Sequence, residues 1–320
     1  MAKKGEDQIS PPPLPTTHDI HLLHLSPSLS CYTTSDLETR TVHREIFEEH
    51  CYDLPSLLPP PPPPPPPRSP SPQSSPQYSP FIIDIGAHIG LFTLYTKAHY
   101  PTSTILAFEP APQTHTALRR NLTLHNLTRS VKALPLALGS SPSATTRKLT
   151  YYPNAHANST FLPESKKTMK LLLTDALGES FTHAYFESVQ VDVRVERLSD
   201  VLDREYGVDG GGGVGRIDLI KVDVEGMEGE VLRGIEGRHW DVVGGVVVEV
   251  SGGEEGLGVV EGLLRQRGFV VESVRAEGPE ELGMWMVRGR RGVGWVPGKI
   301  DKGGEGGREE GCLGGGVVKG

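Results

Sequence analysis

The chain has 320 residues, room for one large domain or two small ones, and carries 32 Lys and Arg against 40 Asp and Glu for a net charge of −8. That balance, with no basic stripe interleaved with aromatics, argues against nucleic acid as the main partner. The longest apolar run, 242–250, contains two glycines and Glu249, so no membrane span is expected either.

The chain-order reading begins with residues 1–30, which are rich in Pro, Ser, Thr and His and predict a disordered lead-in despite Leu22, Leu23 and Leu25. No apolar h-region follows the first residues, and Cys31, Cys51 and Cys312 are too few and too scattered for a disulfide framework or a metal site. A reducing, cytoplasmic setting is the expectation. Residues 31–58 change character: Val42, Ile46 and Phe47 recur at helical spacing among Glu and Arg, predicting a short amphipathic helical extension that lies against the main domain. The proline block at 59–67 opens a linker that runs to residue 80. It reads as polyproline II, an expanded surface loop or a ligand for SH3, WW or profilin-type domains.

From residue 81 the pattern becomes α/β, and the domain is expected to span 81–290. FIIDIGAHIGLFT, residues 81–93, reads as a buried strand, a glycine turn and a helix to about residue 99. A second strand is predicted at 104–108, a helix at 113–126 and a third strand at 130–136. A strand with a loop over the site follows at 149–162, then a helical or loop insert at 169–180. Strict alternation over 189–195 marks a half-exposed strand before a short helix at 198–202, and a glycine insertion stands at 210–213. A buried fourth strand is predicted at 217–224, a helix at 227–235, a fifth parallel strand at 245–250 and a helix at 254–267. A closing antiparallel pair is expected at 268–274 and 282–288. Alternating strands and helices of these lengths give a mainly parallel sheet with helices on both faces. Residues 291–320, rich in glycine and charge, predict a disordered tail.

The glycine turn carries the first chemistry. Its spacing, Gly86 to Gly90, is G-x-x-x-G and lacks the middle glycine of a dinucleotide fingerprint, which disfavours an NAD-dependent dehydrogenase. Asp84, two residues before Gly86, suits a ligand with a positive end, as S-adenosylmethionine has in its ammonium and sulfonium. Glu109 stands at the tip of the second strand, roughly 20 residues after the turn, where an acid can accept both ribose hydroxyls. Asp84, Gly86, His88, Gly90 and Glu109 are therefore the candidate cofactor-binding residues.

Four segments together resemble the FkbM-type methyltransferases: DIGAHIGLFT at 84–93, FEPAP at 108–112 with LRRNLTLHN at 118–126, YYPNAHANST at 151–160, and IDLIKVDVEGMEGEVLRGI at 217–235. The last is the most specific. His88 stands where that family usually has Asn; both side chains can hydrogen-bond the amino-acid end of the cofactor. The resemblance implies a Rossmann-like class I fold with a seven-stranded sheet and an antiparallel edge hairpin. It also implies S-adenosylmethionine as cofactor and O-methylation of a hydroxyl on a small molecule such as a sugar or secondary metabolite.

Such a transfer needs an acceptor oxygen held in line with the methyl carbon and a base for its proton. Lys221, Asp223 and Glu225 would share one side of the fourth strand if it persisted, with the turn at Gly226 re-aiming the last. Asp223 or Glu225 is expected to be the base or orienting group, with Lys221 paired to one of them. The bland alternative is a buried ion pair that fixes the strand-to-helix turn. Asp223 has no second ligand at a recognisable spacing, so no metal is expected. His156 and Asn158 could touch the acceptor, while His239 has no nameable partner. The competing function is an inactive methyltransferase-fold protein acting as a polyproline-bearing interaction partner.

Overall fold

The computed structural model describes residues 19–58, 78–207, 213–292 and 297. The proline block, residues 210–212 of the glycine insertion and nearly all of the expected tail lie outside the described residues.

The first described elements correct the expectation of a lead-in disordered to residue 30. Strands β1 (His21–Ser26) and β2 (Leu29–Thr33) form an antiparallel hairpin. Leu23 and Cys31 pair across it and are both buried. Asn121 explains why so short a hairpin holds: its Oδ1 accepts from Tyr32 N at 2.5 Å, and its Nδ2 donates to the carbonyls of Tyr32 and Ile89 at 3.0 and 2.8 Å. One buried amide thus joins the hairpin to the glycine turn. Ser35 caps helix α1 (Asp36–His43), which continues as a π-helical turn at Arg44–Glu48 and is followed by α2 (Leu54–Leu57). Phe47 packs edge-on against Tyr95, and Tyr52 against Phe92. The extension therefore lies on the helix that follows the glycine turn.

The main domain then alternates as expected: β3 (Phe81–Ile85), α3 (Leu91–His99), β4 (Thr104–Phe108), α4 (Pro112–Leu124) and β5 (Val131–Leu134). Strands β6 (Ala137–Leu138), β7 (Thr145–Tyr151) and β8 (Val189–Glu196) form a separate three-stranded sheet, with α5 (Lys167–Leu177) and α6 (Glu179–Tyr185) between β7 and β8. After α7 (Leu198–Tyr206) come β9 (Ile217–Val222), α8 (Glu228–Arg233), α9 (Gly237–Trp240), β10 (Val243–Val250), α10 (Gly253–Gln266), β11 (Phe269–Arg275) and β12 (Trp285–Arg291).

The seven-stranded sheet has the order β11-β12-β10-β9-β3-β4-β5. Its five strands from β10 to β5 run parallel, and β12 pairs antiparallel with both β10 and β11. Alternation along the strands splits the core between two faces. Ile83 and Ile85 pack with residues of α7, α8 and α10, whereas Ile82 packs with those of α3 and α4. The chain runs outward from β3 through β4 to β5 and returns on the other side of β3 as β9. That reversal leaves a crevice at the carboxyl ends of β3 and β9, the position where open α/β sheets bind ligands.

Candidate active site

Backbone shape sets the crevice. Gly86 follows β3 with φ +74°, and a Cβ there would lie 1.8 Å from the Asp223 carbonyl oxygen, so no other residue lets the two strand ends approach this closely. The amides of Gly86 and Ala87 donate to the Phe108 carbonyl, at 3.0 and 2.8 Å. His88, itself at φ +54°, donates its amide to Glu109 Oε2 at 2.9 Å, and Ala111 N donates to Oε1 at 2.8 Å. Glu109 therefore pins the turn while each oxygen keeps a lone pair. Burial pushes its carboxyl up to about 7 against the pull of those two amides.

Gly86, Ala87, His88, Phe108 and Glu109 line a cleft together with Pro110, Leu136, Leu138, Tyr52, Lys221 and Asp223. Gly86, His88 and Glu109 all border it. Gly90 does not; at φ +96° it starts α3, where an added Cβ would meet Leu118 Cδ1 at 2.7 Å.

Asp84 departs from its expected role. It is fully buried, does not border the cleft, and its Oδ2 accepts from Thr93 Oγ1 at 2.7 Å. Strand register explains the difference: Asp84 sits directly opposite Lys221 on β9, and its Oδ1 lies 3.4 Å from Lys221 Nζ. Its charge is spent inside the sheet.

Lys221 gathers the strand ends. Its Nζ donates to the Gly86 carbonyl at 2.7 Å and lies 3.4 Å from Asp223 Oδ2. Burial opposes its charge, but Asp223, Asp84 and Glu249 outweigh that and raise its pKa. The Tyr52 hydroxyl donates to Asp223 Oδ2 at 3.1 Å. Glu225 separates from this group because β9 ends at Val222. With φ +56°, Glu225 turns its carboxylate to Lys166 at 2.5 Å, and its carbonyl accepts from Thr160 Oγ1 at 2.7 Å. Lys221 thus pairs with Asp223, one of the two expected partners, and Glu225 is re-aimed at the turn as the sequence suggested.

A second chamber adjoins the first. Val42, Ile46, Tyr52, Ala157 and Asp223 border both. Leu37, Leu173, Phe181, Leu282 and Met284 give it apolar walls, while Glu45, Asp223, Glu225 and Glu249 form an acidic floor. Burial first and then Asp223 push Glu45 up to about 7 and raise Glu249 well above the usual range. Sequence spacing also gave no sign of the meeting of Glu38, His88 and His156, whose ligand atoms all lie within 4.8 Å of one another.

With this geometry in view, the comparisons with known proteins decide the family. A model described as the methyltransferase FkbM domain matches residues 84–271. The chain belongs to the FkbM methyltransferase family. Methyltransferase sdnD of Sordaria araneosa is 43% identical over 267 residues, covering 81% of this chain and 93% of that protein. Methyltransferase 1 of Beauveria bassiana is 36% identical over 275 residues, 85% of this chain and 98% of that one. The 31-O-demethyl-FK506 methyltransferase FkbM of Streptomyces tacrolimicus is 31% identical over 243 residues, 73% and 83% of the two chains.

The FkbM match begins at Asp84, so the segment that supplies Glu38, Ile46 and Tyr52 lies ahead of it. Sequence reasoning on this methyltransferase missed Tyr52, Lys166 and Glu38 as site residues. Amphipathic spacing placed the extension near the turn but could not say which of its side chains enter the crevice. Among the described residues, no helix is long and apolar enough to cross a membrane.

Proposed function

We propose that this methyltransferase takes its methyl group from S-adenosylmethionine and transfers it to a hydroxyl on a small molecule whose bulk is apolar. The observation that carries the reading is the meeting of two chambers at Tyr52 and Asp223. In the first, Gly86 allows close backbone approach and Glu109 offers two oxygens, each with a free lone pair, to a ribose diol. Bound there, the cofactor would supply an electrophilic methyl on its sulfonium. In the second, apolar walls fit the body of an acceptor and the carboxylates stand where its hydroxyl must lose a proton. Asp223 is the better placed base because it borders both chambers, whereas Glu225 is held by Lys166. A cytoplasmic setting fits the sparse cysteines, of which Cys31 and Cys51 are both free.

The direct test is transfer of labelled methyl to a panel of sugars, lipids and metabolite extracts. Labelled products concentrated among hydroxylated compounds with apolar bodies are expected; labelling of amines or thiols alone would sink the hydroxyl assignment. Cofactor affinity carries its own pH signature. Ligand-free Glu109 holds its proton until about pH 7, and a diol needs the ionised form. Binding should therefore release a proton below that pH, and affinity for S-adenosylhomocysteine should rise by roughly tenfold per pH unit up to the pKa and then flatten. Calorimetry across that range checks this, with Glu109→Gln expected to bind more weakly and without the slope.

A further inference from the structure

We infer that Glu38, His88 and His156 form a binding site for one divalent first-row transition ion, zinc being the simplest case. The residues come from α1, from the glycine turn and from the helical turn His156–Asn158. Glu38 and His156 are each only 4% exposed. His156 Nδ1 lies 3.1 Å from Glu38 Oε2 and also touches His88 Nε2.

Hydrogens alone serve this arrangement poorly. With neutral rings, a single hydrogen on His156 Nδ1 can point at Glu38 Oε2 or at His88 Nε2 but not squarely at both. A hydrogen on His88 Nε2 serves His156 and leaves the Nδ1 lone pair facing a carboxylate. One contact is made at the expense of the other. A divalent cation accepts lone pairs from both rings and from the carboxylate at once, and two imidazoles with one carboxylate suit zinc and its neighbours better than magnesium or calcium.

The carboxylate is already aimed. Ala157 N donates to Glu38 Oε2 at 3.1 Å, and Asn158 Nδ2 and the Tyr185 hydroxyl donate to Oε1 at 3.3 and 3.1 Å. Oε2 keeps a lone pair for the ion. Three protein ligands leave a coordination position open, as catalytic zinc sites do. His88 and His156 border the first chamber and Glu38 the second. On the methyltransferase reading above, the acceptor's oxygen could bind at that open position and lose its proton more readily.

The test uses the full chain, stripped with a chelator and desalted, then dialysed against zinc and separately against cobalt(II). One retained ion per chain, a higher melting temperature with the ion, and a cobalt spectrum typical of nitrogen and oxygen ligation are expected. Glu38→Ala and His156→Ala should lose stoichiometric binding. Tyr185→Phe, which removes one of the carboxylate's supports, should weaken it by about tenfold. If the buried variants do not fold, His88→Asn serves instead, since Asn tolerates the positive φ at that position while removing a ligand. No retained ion, or unchanged retention in folded variants, would overturn the site. Calorimetry of the stripped protein with S-adenosylhomocysteine keeps the two ideas apart: cofactor binding without metal retention ends this inference and leaves methyl transfer standing.

Discussion

Asp223→Asn is expected to lower kcat for methyl transfer by about 10²–10⁴-fold, the usual yield of a positioned general base. The substitution keeps size and an oxygen that can still accept from Tyr52, so the local packing survives. Asp223 lies at the edge of the first chamber, and none of the Glu109 contacts involve it. Cofactor affinity should therefore hold while kcat falls. Glu225→Gln provides the contrast. It breaks the pair with Lys166 and should cost much less in kcat, because that carboxylate does not border the first chamber. A collapse in Glu225→Gln with Asp223→Asn near wild type would reverse the assignment.

The second large effect concerns folding. Lys221→Met should destabilise the protein by about 3–5 kcal/mol, as removal of one partner from a buried ion pair does. Lys221 is 2% exposed and Asp84 is fully enclosed, so the stranded carboxylate has no solvent to turn to. The Gly86 carbonyl also loses the donor it now receives at 2.7 Å. Urea unfolding measures the loss. In the double variant Asp84→Asn, Lys221→Met the cost should be well below the sum of the single losses, because no fully buried charge is left stranded and Asp223, the other partner, is partly exposed. Strict additivity would mean that the pair does not act as a unit.

The parts of this site that the sequence disclosed are those fixed by local backbone chemistry. A buried strand, a glycine turn and a helix locate Gly86 and Gly90, and the next strand tip locates Glu109, because each depends on neighbours in the chain. The sheet order was available through resemblance to the family. Asp84 was legible as a residue but not as a role. Which partner its carboxylate meets depends on the register of β9 against β3, which no spacing within one strand reveals. Glu225 illustrates a different limit: alternation predicts a shared face only while a strand lasts, and β9 stops at Val222. Glu38 and His156 meet only because the helical extension folds back over the crevice. The β1–β2 hairpin escaped notice because its strands are short and mostly partly exposed, and because the amide that secures it, Asn121, belongs to α4.

The stretch from Glu38 to Tyr52 contributes to both chambers yet precedes the residues matched by the FkbM model. Substitutions in those few turns therefore reach the walls of both chambers at once, while the amide contacts that Glu109 makes with the glycine turn lie wholly outside them. Exchanging that stretch for a relative's is expected to change both cavities without disturbing the turn.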